Sequence, residues 1–400
     1  YVRRQRGAWV PRGEAGMTAR KDALLRDPKL LSVLIPTLGS RMKPLRKARN
    51  GIDSIGWMFM GEMGGPCDKS CQMCYYAHQK NLVFYDLPTL INHANLFRHY
   101  YGLNGADITG GEPTIYKGIV PLVEHCKRIG LSPRIITHGQ NVHDNFRVED
   151  GLPLYKRIEN AGLDVWRFSL HGGSPKSHDV VLGSEGSFDR LIANIDNPSV
   201  EMHFNTTLLD TNYKDLPVNV LKDRPPTVYN IIYFLPYFFW ATGKGMVEAD
   251  FQVQYREAAP YVARAIEEME SRGWEVNVRY WPLCIAEEFG FAENVCNYHQ
   301  VPYDPWEWRL NVTQRTSMDS IEKQGGWVAA ERNMASHLMS DRGNPTCDSC
   351  ANKLICDRPP VQYQKKYGID ELRPIAGEVR IDPLHYQKER GVVLLEEKTS

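Results

Sequence analysis

Between residues 55 and 235 the chain repeats one pattern, a short apolar or β-branched run followed by a stretch with helical periodicity. The runs fall at 55–60, 106–108, 134–136, 165–170, 200–208 and 229–235. Strands separated by helical crossovers return in the same direction, so the pattern predicts an α/β fold with six parallel strands. One crossover helix is easily placed. Ile119, Leu122, Val123, Cys126 and Ile129 share a face, Gly130 supplies the stop, and Cys126 is read as a buried core thiol. In parallel β/α proteins the ligand site lies at the carboxyl ends of the strands, and Glu112 and Ser169 fall at or near such ends. After Gly243-Lys244-Gly245 the alternation stops, and a helical stretch from about residue 250 to residue 272 leads into 274–284. Three segments are expected: a basic extension over 1–50, an α/β unit over 51–245 and a C-terminal unit over 246–400.

Cys67, Cys71 and Cys74 stand as Cys-x3-Cys-x2-Cys in a glycine-containing loop just after the first run. Three thiolates so spaced can hold three irons of a [4Fe–4S] cube, because soft sulfur suits iron–sulfur clusters and short spacers let one loop wrap one face. The fourth iron is then open, and an open position separates a reactive metal from a structural one. Half of a zinc site is the competing reading, although the next donor, His78, would complete an unusual local set. About forty residues on comes Gly110-Gly111-Glu112-Pro113. Glycines let a ligand approach the backbone, and the Glu112 carboxylate can accept from an ammonium group.

These segments resemble the radical S-adenosylmethionine enzyme superfamily, whose members bind S-adenosylmethionine by its amino and carboxylate groups on the open iron. The resemblance implies a partial (β/α)6 barrel, which the six runs independently allow. It assigns Cys67, Cys71 and Cys74 to the cluster, and Gly110, Gly111 and Glu112 to the methionine amino group. It extends to Phe168-Ser169-Leu170-His171-Gly172, where Ser169 is the expected ribose contact, and to His178-Asp179 with Gly183-x2-Gly186-Ser187-Phe188. Thr137 and Asn205 are further expected contacts of the cofactor. The chain departs from the family at Met73, where many members have an aromatic beside the cluster, and at His138, which replaces Asn in the usual Thr-Asn-Gly.

Five more cysteines follow: Cys284, Cys296, Cys347, Cys350 and Cys356. The spacing Cys347-x2-Cys350-x5-Cys356 again suits a cube, and the segment resembles the C-terminal SPASM and twitch extensions of the superfamily. A full SPASM domain carries seven cysteines, so the resemblance implies one auxiliary [4Fe–4S] cluster on Cys284, Cys347, Cys350 and Cys356, within a smaller α+β domain. Zinc on the same thiols competes, because spacing alone does not identify the metal. Cys296 is left over. It is a buried small residue, an alternative ligand, or a catalytic hydrogen-atom donor of the kind radical epimerases use. The aromatic runs 233–240 and 303–308 belong to the core or line a pocket, and His138, His171 and His203 are read as structural histidines.

Composition is that of a cytoplasmic enzyme with a substantial core, 42% apolar and 24% charged. Neither an 18-residue apolar run nor a signal-peptide pattern is seen, so membrane insertion and secretion are not indicated. Nine cysteines in such a chain point to metals rather than disulfides. Formal net charge is zero, yet the first fifty residues hold 13 Lys or Arg against 3 Asp or Glu. Such a run is most simply a solvated arm, and the segment before Met17 is given no function.

The resemblance implies reductive cleavage of S-adenosylmethionine to a 5′-deoxyadenosyl radical, which abstracts a hydrogen atom from a small-molecule or peptide substrate. The outcome is oxidation, bond formation or epimerisation, with flavodoxin or ferredoxin as the expected electron donor. About fifty residues before the barrel are few for a cobalamin or peptide-binding module, so a peptide maturase would work with a partner recognition protein. A near-neutral chain without a basic, aromatic-interleaved segment in the barrel disfavours nucleic acid. The reading from another class is an iron–sulfur electron carrier or scaffold, which would have no use for Gly110, Gly111 and Glu112.

Overall fold

The computed structural model describes residues 55–61, 64–74, 77, 82–100, 103–142, 151–195, 199–223, 226, 228–234, 251–296, 344–380 and 385–386. It also gives the antiparallel pairs Val2–Arg3 with Trp9–Val10 and Pro44–Leu45 with Val393–Leu394. The rest of the basic first fifty residues, His78, Gly243-Lys244-Gly245 and the aromatic positions 235–240 and 303–308 lie outside the described residues.

The main sheet has seven strands: β1 (Ile55–Phe59), β2 (Gly105–Thr109), β3 (Ser132–Thr137), β4 (Val165–Ser169), β5 (Glu201–Leu208), β6 (Val228–Tyr233) and β7 (Glu275–Arg279). Each pairs in parallel with its neighbours in sequence, giving the order β7-β6-β5-β4-β3-β2-β1. Such an order never reverses, so the sheet winds one way like a barrel and lacks the switch point of a doubly wound sheet. Its two edges share no backbone hydrogen bonds, yet the Arg279 guanidinium of β7 lies 5.9 Å from the Trp57 ring of β1. In a flat sheet those edges would stand roughly 29 Å apart. The sheet is therefore curled into an open, partial barrel.

The six predicted runs are the first six strands. The seventh corrects that count, because the alternation resumes after residue 245 as a helix (Tyr255–Glu270) followed by β7. Its sequence, Glu-Val-Asn-Val-Arg, holds two apolar residues in five and no continuous run. Its period of two is the signal that the search for apolar runs passes over.

Alternate residues of each strand face opposite ways. Met58, Ile108, Ile135, Trp166, Phe168, Phe204, Tyr229 and Val276 point outward into one large core beneath the helices. The helix Ile119–Arg128 shows how the sequence builds this layer. Ile119, Leu122, Val123 and Cys126 are buried on one face, as their spacing predicts, and His125, Lys127 and Arg128 sit in the last turn where the helix dipole favours cations. Burial of each such apolar side chain contributes about 1.5–3 kcal/mol. The same core takes in Tyr255, Trp281 and Tyr363, so residues 344–380 pack directly onto the barrel; Tyr233 stacks on Tyr255 with ring centres 4.1 Å apart. Tyr233 and Phe234, from the first aromatic run, are buried core residues.

The inner face is polar. Asp107 of β2 forms an ion pair with Arg134 of β3 at 2.6 Å and accepts from Arg167 of β4 at 2.8 Å. Arg167 in turn reaches His203 Nδ1 at 3.4 Å, and His203 Nε2 lies 3.0 Å from Glu201 Oε1. Among the described residues no helix is long and apolar enough to cross a membrane.

Candidate functional site

The loop that leaves β1 carries the first cysteine group. Cys67 is exposed, while Cys71 and Cys74 are half-buried. Gln72 N–H donates to the Val181 carbonyl at 3.0 Å, Cys74 N–H to the Cys71 carbonyl at 3.0 Å, and Lys69 N–H to Cys67 Sγ at 3.4 Å. Cys71 and Met73 pack on an apolar patch of Val181, Leu182, Leu209 and Phe234. Met73, in place of an aromatic, thus serves as a flexible apolar filler beside the thiols. Burial pushes the Cys71 thiol up to about 12, and the nearby Cys74 and Cys67 push the same way. Closely spaced thiolates repel one another, so a cation between them would favour their gathering, and soft sulfur donors fit an iron–sulfur cluster.

Against this loop sits the turn after β2. Gly110 and Gly111 both have positive φ, +89° and +26°. A Cβ on Gly110 would stand 2.4 Å from the Gly64 carbonyl oxygen, and one on Gly111 would stand 2.0 Å from that of Pro66. The two backbones are tied by Glu112 N–H donating to Pro66 O at 2.9 Å. Only glycine allows this approach. The Glu112 side chain is buried. Its Oε1 accepts from Thr114 N–H at 3.0 Å, Thr114 Oγ1 at 2.6 Å and Thr137 Oγ1 at 2.7 Å, and its Oε2 accepts from His138 N–H at 3.0 Å. The hydroxyl of Thr137, expected at the cofactor, is thus directed to Glu112, and it accepts from Gly139 N–H at 2.9 Å.

His138 makes a second tie that the sequence registered only as a departure from the family pattern. Gln140 N–H lies 3.2 Å from its Nδ1 and its Nε2 lies 2.8 Å from Asp68 Oδ1; burial alone would lower the imidazole, but the Glu112 charge and the hydrogen bond and charge of Asp68 push it up to about 10. Burial alone would raise the Asp68 carboxyl, but the hydrogen bond and charge of His138, followed by the Lys69 charge and the Asn141 hydrogen bond, hold it well below the carboxylate range. Donor atoms of Cys67, Asp68 and His138 lie within 4.8 Å of one another. The Nε2 of His138 is also 3.3 Å from Glu112 Oε2, so the ligand loop and the Glu112 turn are joined through one imidazole.

Ser169 ends β4, half-buried, and pairs in register with Asn205 of β5. Beyond it His171 is buried, accepts from Thr207 N–H at 3.1 Å and is pushed down to about 3 by burial, so it is neutral. It is a structural histidine, as is His178, whose Nδ1 accepts from His171 N–H at 3.0 Å. The motif that follows has a mechanical reason. Asp179 accepts from Gly186 N–H and Phe188 N–H, both at 2.7 Å, at the start of the helix Ser187–Asn194, while Gly183 and Gly186 take positive φ.

The second cysteine group converges from three segments. Cys284 lies in the short helix Leu283–Glu288, Cys347 in Pro345–Asp348, and Cys350 and Cys356 in the turns after it. Burial pushes Cys284 up to about 11, with Cys347 and Cys350 adding their charges, and it also raises Cys356, with Cys284 next. Backbone N–H groups aim at the sulfurs: Leu283 and Arg358 at Cys356, both at 3.4 Å, and Asn352 and Ile375 at Cys350, at 3.4 and 3.3 Å. Hydrogen bonds to sulfur of this kind tune iron–sulfur clusters. Cys296 is the remaining one of the five C-terminal cysteines. It is buried, its N–H donates to Val278 O at 2.7 Å, and its thiol donates to Asn277 Oδ1 at 3.4 Å on the inner face of β7.

Residues 62–207 match the family model of the Radical SAM superfamily. Among curated relatives, PqqA peptide cyclase of Methylocella silvestris is 34% identical over 89 residues, 22% of each chain. The probable GTP 3',8-cyclase of Thermococcus kodakarensis is 26% identical over 121 residues, 30% of this chain and 36% of that one. The S-adenosylmethionine-dependent nucleotide dehydratase of Flammeovirga pacifica is 22% identical over 213 residues, 49% and 67%. The chain matches 22% to 36% of the length of the first two of these relatives. Among solved structures, Streptococcus suis SuiB has a TM-score of 0.42 at 14% identity, covering 66% of this chain and 59% of that one. HydG, a maturase of the [FeFe]-hydrogenase, has a TM-score of 0.45 at 10% identity, covering 68% and 61%.

Proposed function

This chain carries a radical S-adenosylmethionine domain, and on that premise we propose that it is an enzyme which abstracts a hydrogen atom from a peptide or small polar substrate held at the barrel mouth. A [4Fe–4S] cluster and S-adenosylmethionine supply the one-electron chemistry when bound. The observation that carries the reading is the Glu112 N–H to Pro66 O bond, which sets the Gly-Gly-Glu turn against the cysteine loop. Cys67, Cys71 and Cys74 hold the cluster and leave one iron for the amino acid end of S-adenosylmethionine. Gly110 and Gly111 give the cofactor a backbone it can approach closely, and Glu112 Oε2 faces its ammonium group. Ser169 and Asn205 meet the nucleoside. An electron carrier would need none of these last five residues.

The C-terminal thiols Cys284, Cys347, Cys350 and Cys356 are assigned to one auxiliary [4Fe–4S] cluster, which favours net oxidation or bond formation as the outcome. Similarity to a peptide cyclase supports a peptide as substrate, and the polar inner wall of the barrel suits backbone amides. Similarity to GTP cyclases keeps a nucleotide as the second substrate class. An external one-electron donor such as flavodoxin or ferredoxin completes the cycle.

The test is formation of 5′-deoxyadenosine by anaerobically reconstituted protein given S-adenosylmethionine and a strong reductant, beside a Cys71→Ala variant. Product from the parent and none from the variant supports the reading. Iron-loaded parent protein that neither binds nor cleaves S-adenosylmethionine overturns it in favour of an electron carrier.

A further inference from the structure

Three asparagines stand side by side across the inner face of the last three strands. Asn205 pairs in register with Ser169 on one side and Asn230 on the other, and Asn230 pairs with Asn277. Their amides are chained head to tail. The Cys296 thiol donates to Asn277 Oδ1 at 3.4 Å, Asn277 Nδ2 donates to Asn230 Oδ1 at 3.2 Å, and Asn230 Nδ2 donates to Asn205 Oδ1 at 2.8 Å. A thiol in such a row acts as donor, so Asn277 must turn its oxygen to Cys296 and its nitrogen to Asn230, and each amide then orients the next. The row has a direction. It begins at a sulfur only 1% exposed and ends at the Nδ2 of half-buried Asn205, next to Ser169.

We propose that Asn230 and Asn277 are positioning residues that couple occupancy of the position at Ser169 and Asn205 to the hydrogen bond held by the Cys296 thiol. The inference rests on the reading that Ser169 and Asn205 meet the nucleoside of S-adenosylmethionine. Asn205 Oδ1 is already engaged by Asn230, so the amide offers the nucleoside its Nδ2 hydrogens, and a ribose oxygen or ring nitrogen accepts there. Hydrogen bonds in a chain polarise one another. An acceptor at the head therefore tightens every bond behind it, and the thiol hydrogen is held more firmly toward Asn277. The acceptor is the neutral side-chain carbonyl of Asn277, to which the Cys296 thiol donates at 3.4 Å. The row thus links the bound nucleoside to the Cys296 thiol.

Infrared spectroscopy reads this directly. Cys126 and Cys296 are the cysteines outside the two ligand sets, so a Cys126→Ala background with clusters reconstituted leaves the S–H stretch of Cys296, assigned by its loss in Cys296→Ala. S-adenosylmethionine is added without reductant and its binding is followed by calorimetry. The expected result is a shift of the S–H band to lower wavenumber on binding, abolished in Asn230→Leu while S-adenosylmethionine still binds. Binding without a shift in the Cys126→Ala protein overturns the coupling and leaves the asparagines as a ladder that only joins strands. A band that shifts equally in Asn230→Leu also overturns it, because the signal then bypasses the row. Absence of binding altogether overturns the nucleoside reading beneath it.

Discussion

Glu112 donates its backbone N–H to the carbonyl of Pro66 at 2.9 Å, and a Cβ on the preceding Gly111 would fall 2.0 Å from that same oxygen. One atom of the cysteine loop thus fixes both the approach of the turn and the identity of the residue that makes it. Gly111→Ala is expected to break the contact by sterics and by its positive φ, separating the loop from the Glu112 turn. Calorimetry should find S-adenosylmethionine affinity lowered by at least about tenfold, equivalent to about 1.4 kcal/mol. Iron bound by Cys67, Cys71 and Cys74 should persist, since none of them is touched. Unchanged affinity would remove the turn from the cofactor site.

The charged inner wall makes a second prediction. Asp107 is fully buried between Arg134 and Arg167, with side-chain contacts of 2.6 and 2.8 Å. Asp107→Ala leaves two guanidinium groups without the carboxylate between them, and breaking a buried pair on one side costs about 3–5 kcal/mol. Chemical denaturation should show that loss, while the iron content of protein that folds stays the same.

Buried histidines set the acid side of stability. Burial pushes His93 down to about 4 and His171 to about 3; it also brings His203 to about 4, against its own hydrogen bond to the Glu201 carboxylate and with the charges of Arg167 and Arg134. These groups stay neutral in the folded chain while the unfolded chain takes up protons near pH 6.5. The unfolded state therefore binds more protons between about pH 6.5 and 4, and stability falls as the pH drops through that window. Each histidine contributes a slope of about 1.4 kcal/mol per pH unit there. Urea midpoints measured from pH 7.5 to 4.5 should fall toward acid, and His203→Gln should flatten part of the decline.

Much of this was legible in the residues, and the reason differs by region. The first six strands were visible as apolar runs because their outward faces feed one large core, and the turns at Gly110 and Gly111 were visible because close backbone approach demands glycine. β7 was hidden by its polar inner residues, Glu275, Asn277 and Arg279. The same alternation conceals the barrel wall: Asp107, Arg134, Arg167 and the three asparagines each read as an ordinary polar residue in a strand until neighbouring strands bring them into register. Tertiary pairing also redirects Thr137, whose hydroxyl goes to Glu112. His138 bears on the site because the fold returns it to Asp68, seventy positions away.

Iron counting separates the cysteines into the roles assigned to them. With Cys67, Cys71 and Cys74 holding one cube and Cys284, Cys347, Cys350 and Cys356 another, reconstituted protein should carry about eight irons. Cys71→Ala and Cys356→Ala should each reduce this to about four, and a variant lacking both should carry almost none. Only the protein that keeps the first group should cleave S-adenosylmethionine, because a cube with four protein ligands has no open iron. Cys296→Ala should leave all eight irons in place, since its thiol donates to Asn277 Oδ1. Loss of about four irons in Cys296→Ala would instead make Cys296 a ligand and remove the thiol from the end of the asparagine row. Zinc at either group would show in the same metal analysis, and would overturn the cluster assigned to that group.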